Sequence, residues 1–195
     1  MTGLVILAAG ASTRLGEPKQ RLLFKEKTLL QHAVHTALAS GCEPVVAVLG
    51  ANAESIKAEI QDQPVAIVCN EAWAEGMASS IRCGLTNLLT TQPNLENCIF
   101  VVCDQPFMDA TLLKTIVDTK AEAGRGIVAS AYKNTLGTPV LFDKTYFSDL
   151  LSLKGQEGAK KLLFKYNNAV ASVPFLLGAI DIDTAADYAA LKAQQ

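Results

Sequence analysis

The chain has 195 residues, half of them hydrophobic, and a formal net charge of −2. We expect one domain over residues 1–195, because this length builds one substantial core. The charge balance excludes a broad basic surface for nucleic acid, and no apolar run is long enough to span a membrane. The first residues lack the features of a signal peptide, so we expect a cytoplasmic protein.

Short β-branched runs alternate with stretches of helical periodicity along the first two thirds of the chain. Strands are predicted at 4–8, 44–50, 65–69, 98–103 and 126–131. Helices are predicted over 28–41, 51–60, 79–89 and 109–124, the first capped by Thr28 and stopped by Gly41. Near-continuous apolar strands separated by helices indicate an α/β fold: a mostly parallel, Rossmann-like sheet between two helical layers.

The last third is less regular. A turn and strand are predicted at 137–142, helical segments at 144–153 and 158–167, and a strand at 169–173. A strand end at 181–183 precedes a final helix from about Thr184.

The five cysteines show no metal-binding spacing. Their number is odd and no CxxC pair occurs, so they are predicted to be reduced, small buried hydrophobes. With only His32 and His35 available, we predict no zinc site.

The stretch LAAGASTRLGEPKQ (7–20) follows the first strand. Its small residues let a ligand approach the backbone, whose N–H groups can cradle phosphate oxygens. Arg14 can grip a phosphate with two donors and Lys19 adds a mobile charge, which predicts a nucleoside triphosphate at this loop. The Walker pattern fails here, and GxGxxG fails because Ser12 replaces its second glycine.

This string resembles the signature loop of the nucleotidyltransferases of the molybdenum cofactor cytidylyltransferase type, within the MobA-like NTP transferase superfamily. In that family the loop wraps the triphosphate. The resemblance implies that the backbone of four residues contacts the nucleotide: Leu7, Ala8, Ala9 and Gly10. It also implies that the side chains of Arg14 and Lys19 bind the phosphates.

A second family-like string, NEAWAEGMASSIRCGL (70–85), places Ser79 and Ser80 at the predicted start of a helix. By itself this pattern fits an ordinary serine N-cap. The resemblance implies that Gly76, Ser79 and Ser80 hold the nucleotide near its base or ribose. Trp73 is either a stacking platform or a packing residue.

Asp104 follows a buried strand directly, where a carboxylate is costly unless it meets a cation. Mg²⁺ bound to phosphates is one such cation, and capping of the turn before Pro106 is the alternative. The family's DQP pattern favours the metal, and it implies that Asp183 in DIDTAADYAAL is the second ligand.

The string LKGQEGAKKLL (153–163) departs from the family pattern, because Gln156 stands where Asp is usual. This departure bears on acceptor or metal contacts. Lys160 and Lys161 are predicted to lie on a solvated helix face.

The resemblance implies Mg²⁺-dependent transfer of CMP from CTP to the terminal phosphate of molybdenum-loaded molybdopterin, with Arg14, Lys19 and Asp104 as catalytic residues. A molybdoenzyme would then receive the product. Two alternatives stay open: another phosphorylated acceptor, such as a sugar phosphate, and a non-catalytic nucleotide-binding partner of a molybdoenzyme. A Rossmann oxidoreductase is disfavoured by the failed GxGxxG pattern.

Overall fold

A seven-stranded sheet forms the centre of the computed structural model, which describes residues 1–193. The strands are β1 (Thr2–Ala8), β2 (Leu23–Phe24), β3 (Lys27–Thr28), β4 (Val45–Leu49), β5 (Ala66–Cys69), β6 (Asn97–Val102), β7 (Ile127–Tyr132), β8 (Thr135–Asp143) and β9 (Val170–Pro174). The sheet order is β5-β4-β1-β6-β8-β7-β9, and β2 and β3 form a separate hairpin. Every strand of the large sheet runs parallel to β1 except β8.

The described residues form seven α-helices. They are α1 (Leu29–Ala39), α2 (Ala53–Lys57), α3 (Met77–Thr91), α4 (Ala110–Ala123), α5 (Phe147–Leu151), α6 (Lys160–Lys165) and α7 (Ala185–Lys192). Among the described residues, none of these helices is long and apolar enough to cross a membrane.

The side chains of β1 point alternately to the two faces of the sheet, so the core has two layers. Leu4 and Ile6 pack toward α1 and α4, whereas Val5 and Leu7 pack toward α3, α5 and α6. The expected mostly parallel α/β sheet with helices on both faces is therefore confirmed.

The strands and most helices lie where the sequence predicts them. Thr28 caps α1 and forms a capping box with Gln31, and Gly41 follows its end with a φ of 79°. Lys160 and Lys161 are exposed on α6, as predicted.

Three local predictions are wrong. Helix α2 ends at Lys57 rather than at residue 60, because the chain then tightens into turns in which Ile60 N donates to Lys57 O. Helix α3 begins at Met77, two residues before the serines. Residues 181–183 lie outside any strand.

The reversal at β8 follows from the connection before it. Lys133 and Asn134 both have positive φ, of 47° and 57°, which is the backbone of a two-residue type I′ hairpin turn. Such a turn can join only antiparallel strands.

Candidate functional site

The opening loop leaves β1 at the carboxyl edge of the parallel strands, where α/β folds bind ligands. The loop is shaped by Gln20, which is 1% exposed. Its Nε2 donates to Ala8 O at 2.7 Å and to Gly10 O at 2.9 Å. Gln20 therefore holds two carbonyls of the loop in place, a role that sequence reasoning did not assign.

A cleft of about 300 Å³ opens beside this loop. Seven residues of the predicted site line it: Leu7, Ala8, Ala9, Gly10, Lys19, Gly76 and Ser80. Asp104, which follows the end of β6, lines the cleft as well. Arg14, Ser79 and Asp183 are not on its wall, and each reaches the site through a neighbour.

Lys19 is the centre of a cluster of charges at the mouth of the cleft. Its Nζ lies 2.5 Å from Asp104 Oδ2 and 2.8 Å from Asp183 Oδ1. Arg14 Nη2 extends the cluster with a contact of 2.8 Å to Asp183 Oδ2. The Arg14 side chain is 69% exposed, so it is free to turn toward a ligand.

Backbone contacts explain how Asp183 reaches Asp104 from the other end of the chain. Ile182 N donates to Asp104 O at 3.1 Å, which ties the segment before α7 to the end of β6. Ile182 is also fully buried in a small cluster with Leu22 and Phe24. Thr184 then caps α7 in a capping box with Asp187 and fixes the segment that carries Asp183.

The charges in this cluster shift one another's pKa values. Burial raises the pKa of Asp104, and the nearby Lys19 ammonium opposes that shift. The hydrogen bond from Lys19 lowers the pKa of Asp183. Burial alone would lower the pKa of Lys19, but the two carboxylates raise it well above its ordinary value. Lys19 is therefore a permanent cation at neutral pH.

The two carboxylates can hold a hard divalent cation. Both direct an oxygen at one point, which Lys19 Nζ occupies. Within residues 1–193, no group of three or more His, Cys, Asp or Glu residues forms a metal site. Two carboxylates suit a small divalent cation such as Mg²⁺, which completes its coordination shell with phosphate oxygens and water.

The serine pair lies in the first turn of α3 rather than at its N-cap, which is Gly76. Gly76 has a φ of 117°, and a Cβ there would lie 2.6 Å from Gly155 O, so only glycine fits. Asn70, which sequence reasoning gave no role, donates to both serine hydroxyls. The N-cap interpretation of the serines is wrong, because the helix starts earlier.

Trp73 and Gln156 also line the cleft. Trp73 is 38% exposed there, so its ring is available to a ligand. Gln156 packs beside Gly76, so the residue that departs from the family pattern faces the cleft.

Of the cysteines, Cys103 lines the cleft beside Asp104, whereas His32 and His35 do not line it. All five cysteines are free thiols, and Cys42, Cys98 and Cys103 are buried as expected. Cys83 is half-buried, and Cys69 is exposed at the end of edge strand β5, so the expectation of burial is wrong for Cys69. His32 contacts Phe24 O, and His35 Nδ1 lies 3.0 Å from Lys27 Nζ.

A loop of small residues after the first strand, which a phosphate can approach, and a pair of carboxylates beside it are typical of nucleotidyltransferases. The chain belongs to the MobA-like NTP transferase family, whose model matches residues 4–170.

Three curated relatives carry different names. The chain is 36% identical to nicotine blue oxidoreductase of Paenarthrobacter nicotinovorans over 69% of its own length and 63% of that protein's. It is 29% identical to purine catabolism protein PucB of Bacillus subtilis, over 82% of this chain and 78% of PucB. It is 21% identical to the molybdenum cofactor cytidylyltransferase of Escherichia coli, over 96% and 94%.

Solved structures share the whole fold. Rv0371c of Mycobacterium tuberculosis superposes with a TM-score of 0.86 at 28% identity, over 97% of this chain and 96% of that one. A manganese complex of Rv0371c superposes with a TM-score of 0.84 at 26% identity, over 100% and 99%.

Proposed function

We propose that the protein transfers CMP from CTP to the terminal phosphate of molybdenum-loaded molybdopterin, releasing pyrophosphate and forming molybdopterin cytosine dinucleotide. The observation that carries this proposal is the convergence of Lys19, Asp104 and Asp183 at the mouth of the cleft. Family membership supports an enzyme that acts on a nucleoside triphosphate. The cytidylyltransferase of Escherichia coli, similar over nearly its full length, supports the donor and acceptor.

The reaction needs positioning and charge neutralisation more than a strong base. A phosphate oxygen of the acceptor attacks the α-phosphorus of the nucleotide in line, and pyrophosphate leaves from the opposite side. The attacking oxygen already carries negative charge. Arg14 and Lys19 offset the charge that develops on the leaving pyrophosphate.

The nucleotide lies along the cleft in this proposal. Backbone N–H groups of Leu7, Ala8, Ala9 and Gly10 hold its phosphates. Gly76, Ser79 and Ser80 hold its nucleoside end on the opposite wall. The side chain of Ala9 narrows the cleft relative to glycine, which favours a pyrimidine over a purine.

Asp104 and Asp183 would hold the divalent cation, Mg²⁺ in this proposal, and the manganese complex of Rv0371c supports a metal of this kind. When bound, the cation neutralises phosphate charge and aligns the reacting oxygens. Lys19 must then leave the point between the two carboxylates, and its ammonium is free to meet the triphosphate.

A second cavity supports the entry of an acceptor beside the reacting phosphate. It has a volume of about 350 Å³ and shares Asp104 and Val102 with the nucleotide cleft. Its other walls come from Gln105, from the β7–β8 hairpin and from residues 178–181. An acceptor seated there would present its phosphate on the side of Asp104.

The test is pyrophosphate release from CTP, GTP, ATP and UTP, each with Mg²⁺, without an acceptor, with molybdenum-loaded molybdopterin, and with a sugar phosphate. We expect release that requires the pterin and is fastest with CTP. Release that requires a sugar phosphate instead would replace the acceptor, and preference for GTP would replace the donor. Binding of CTP without release in any mixture would favour the non-catalytic alternative.

One observation favours a second candidate, an oxidoreductase: the 36% identity to nicotine blue oxidoreductase. The same protein should therefore be mixed with nicotine blue and NADH or NADPH, and the dye absorbance followed. Reduction faster than in the protein-free control would support this second activity. The cation and carboxylate cluster favours phosphate chemistry, so we expect no reduction.

A further inference from the structure

Asn70 holds the two serines of α3 but leaves them in different hydrogen-bonding states. It follows β5 and is 5% exposed. Its Nδ2 donates to Ser79 Oγ at 2.8 Å and to Ser80 Oγ at 3.0 Å. Both hydroxyl oxygens are therefore acceptors from one amide group.

The orientation of the Asn70 amide follows from its third contact. Ala72 N donates to Asn70 Oδ1 at 3.1 Å, and a backbone N–H can only donate. The oxygen of the amide must face Ala72, so its NH₂ group must face the serines.

The protons of the two serine hydroxyls go to different places. Ser79 Oγ donates to Gly76 O at 2.8 Å, so its proton stays within the first turn of α3. Within residues 1–193, the Ser80 hydroxyl donates no hydrogen bond, and Ser80 lines the cleft whereas Ser79 does not.

We propose that Asn70 is a positioning residue that makes Ser80 a hydrogen-bond donor to the nucleotide. This inference rests on the proposed nucleotide cleft. Because Asn70 occupies a lone pair of Ser80 Oγ, the hydroxyl proton is directed to an acceptor atom of the ligand. The phosphates lie at the Lys19 end, so that atom belongs to the nucleoside: an oxygen of the pyrimidine base or of the ribose.

The variant Asn70→Asp reverses the polarity with little change of shape. One carboxylate oxygen still accepts from Ala72 N. The other oxygen replaces the NH₂ group and accepts, so the Ser80 proton turns toward residue 70 and away from the ligand. Ser80→Ala removes the same donor directly.

The test measures two dissociation constants by calorimetry for each variant, one for CTP and one for inorganic triphosphate. Inorganic triphosphate has no nucleoside, so the ratio of the two cancels any general effect of charge or of loop structure. We expect Asn70→Asp and Ser80→Ala each to lower the preference for CTP about tenfold, the loss of one good hydrogen bond. Combined, they should lower it no further. Thr86→Ala, on the exposed side of α3, serves as the matched control.

Other outcomes overturn the inference. An unchanged ratio in Ser80→Ala does so even if Asn70→Asp fails to fold, and so does an additive loss in the double variant. Weak binding of CTP by the unmodified protein would instead count against the proposed function. Repeating Ser80→Ala with 2′,3′-dideoxy-CTP assigns the acceptor atom: a persisting loss indicates the base, and no loss indicates a ribose hydroxyl.

Discussion

Lys19 Nζ lies 2.5 Å from Asp104 Oδ2, so the cation of the opening loop is paired with the carboxylate at the end of β6. The pair joins two segments that are far apart in the chain. It also places two residues of the proposed catalytic set in direct contact before any ligand binds. Several expected outcomes depend on this contact and on its neighbours.

Arg14→Ala and Asp104→Ala should each lower turnover by about 10² or more, the usual cost of removing a group that stabilises developing charge. The fold should persist, because Arg14 is exposed and Lys19 keeps Asp183 as a partner. Pyrophosphate release and circular dichroism check both statements. Turnover near that of the unmodified protein in either variant would contradict the site assignment.

Lys19→Met should bind Mn²⁺ about tenfold more tightly than the unmodified protein in the absence of nucleotide. The ammonium otherwise occupies the point between the two carboxylates and repels a second cation. Loss of the free Mn²⁺ signal in electron paramagnetic resonance measures the affinity. Lys114→Met, on the exposed side of α4, is the control and should change nothing. Equal affinity in Lys19→Met would show that Lys19 does not compete with the metal.

Gln20→Glu should destabilise the protein more than Gln20→Met does. An ionised carboxylate would face Ala8 O and Gly10 O without a proton to share, at a cost of about 1–3 kcal/mol. The sign of the pH dependence follows. Burial raises the pKa of such a carboxyl, and below that value the neutral group donates again, so the penalty shrinks as pH falls. Urea unfolding at pH 8 and pH 5 measures it, and a penalty independent of pH would contradict this account.

Gly84→Ala should lower the free energy of unfolding by about 1–3 kcal/mol through overpacking. A Cβ at Gly84 would lie 2.5 Å from Val5 Cγ1 and 2.9 Å from Val48 Cγ2, inside the core between α3 and the sheet. Thr86→Ala, on the same helix but exposed, should leave stability within about 0.5 kcal/mol. Denaturant titrations of the two variants decide, and equal stability would show that α3 can shift away from the sheet.

Cys69 should react with a thiol reagent before Cys42 and Cys98. Cys69 is exposed, whereas burial raises the pKa of the Cys42 and Cys98 thiols and so reduces their reactive thiolate. Mass spectrometry after brief alkylation at pH 8 identifies the modified residue. Early labelling of Cys98 would mean that β6 opens easily.

The opening loop and Asp104 were predictable as parts of a candidate site, because each follows a recognisable buried strand and carries small or charged residues whose presence at such a position is best explained by a ligand. Asp183 was reached only through a family resemblance, since its approach to Asp104 depends on a backbone contact between distant segments. The roles of Gln20 and Asn70 depend on where amide groups point, which composition and periodicity do not encode.

The sequence did not separate the roles of the two serines. Both lie in the first turn of α3, about 100° apart around the helix axis, and Ser80 lines the cleft whereas Ser79 does not. The reversed direction of β8 could have been predicted from sequence. The two residues of the turn, Lys133 and Asn134, are too few for a crossover between parallel strands.

Because β8 is reversed, the cavity beside Asp104 and the opening loop take their walls from separate parts of the sequence. Because β8 starts where the parallel strands end, one wall of the cavity beside Asp104 comes from a short continuous hairpin that includes Tyr132, Lys133, Thr135 and Thr138. The opening loop comes from the first residues of the chain. If the acceptor binds in this cavity as proposed, exchange of the hairpin would alter one wall of the acceptor site and leave the opening loop unchanged.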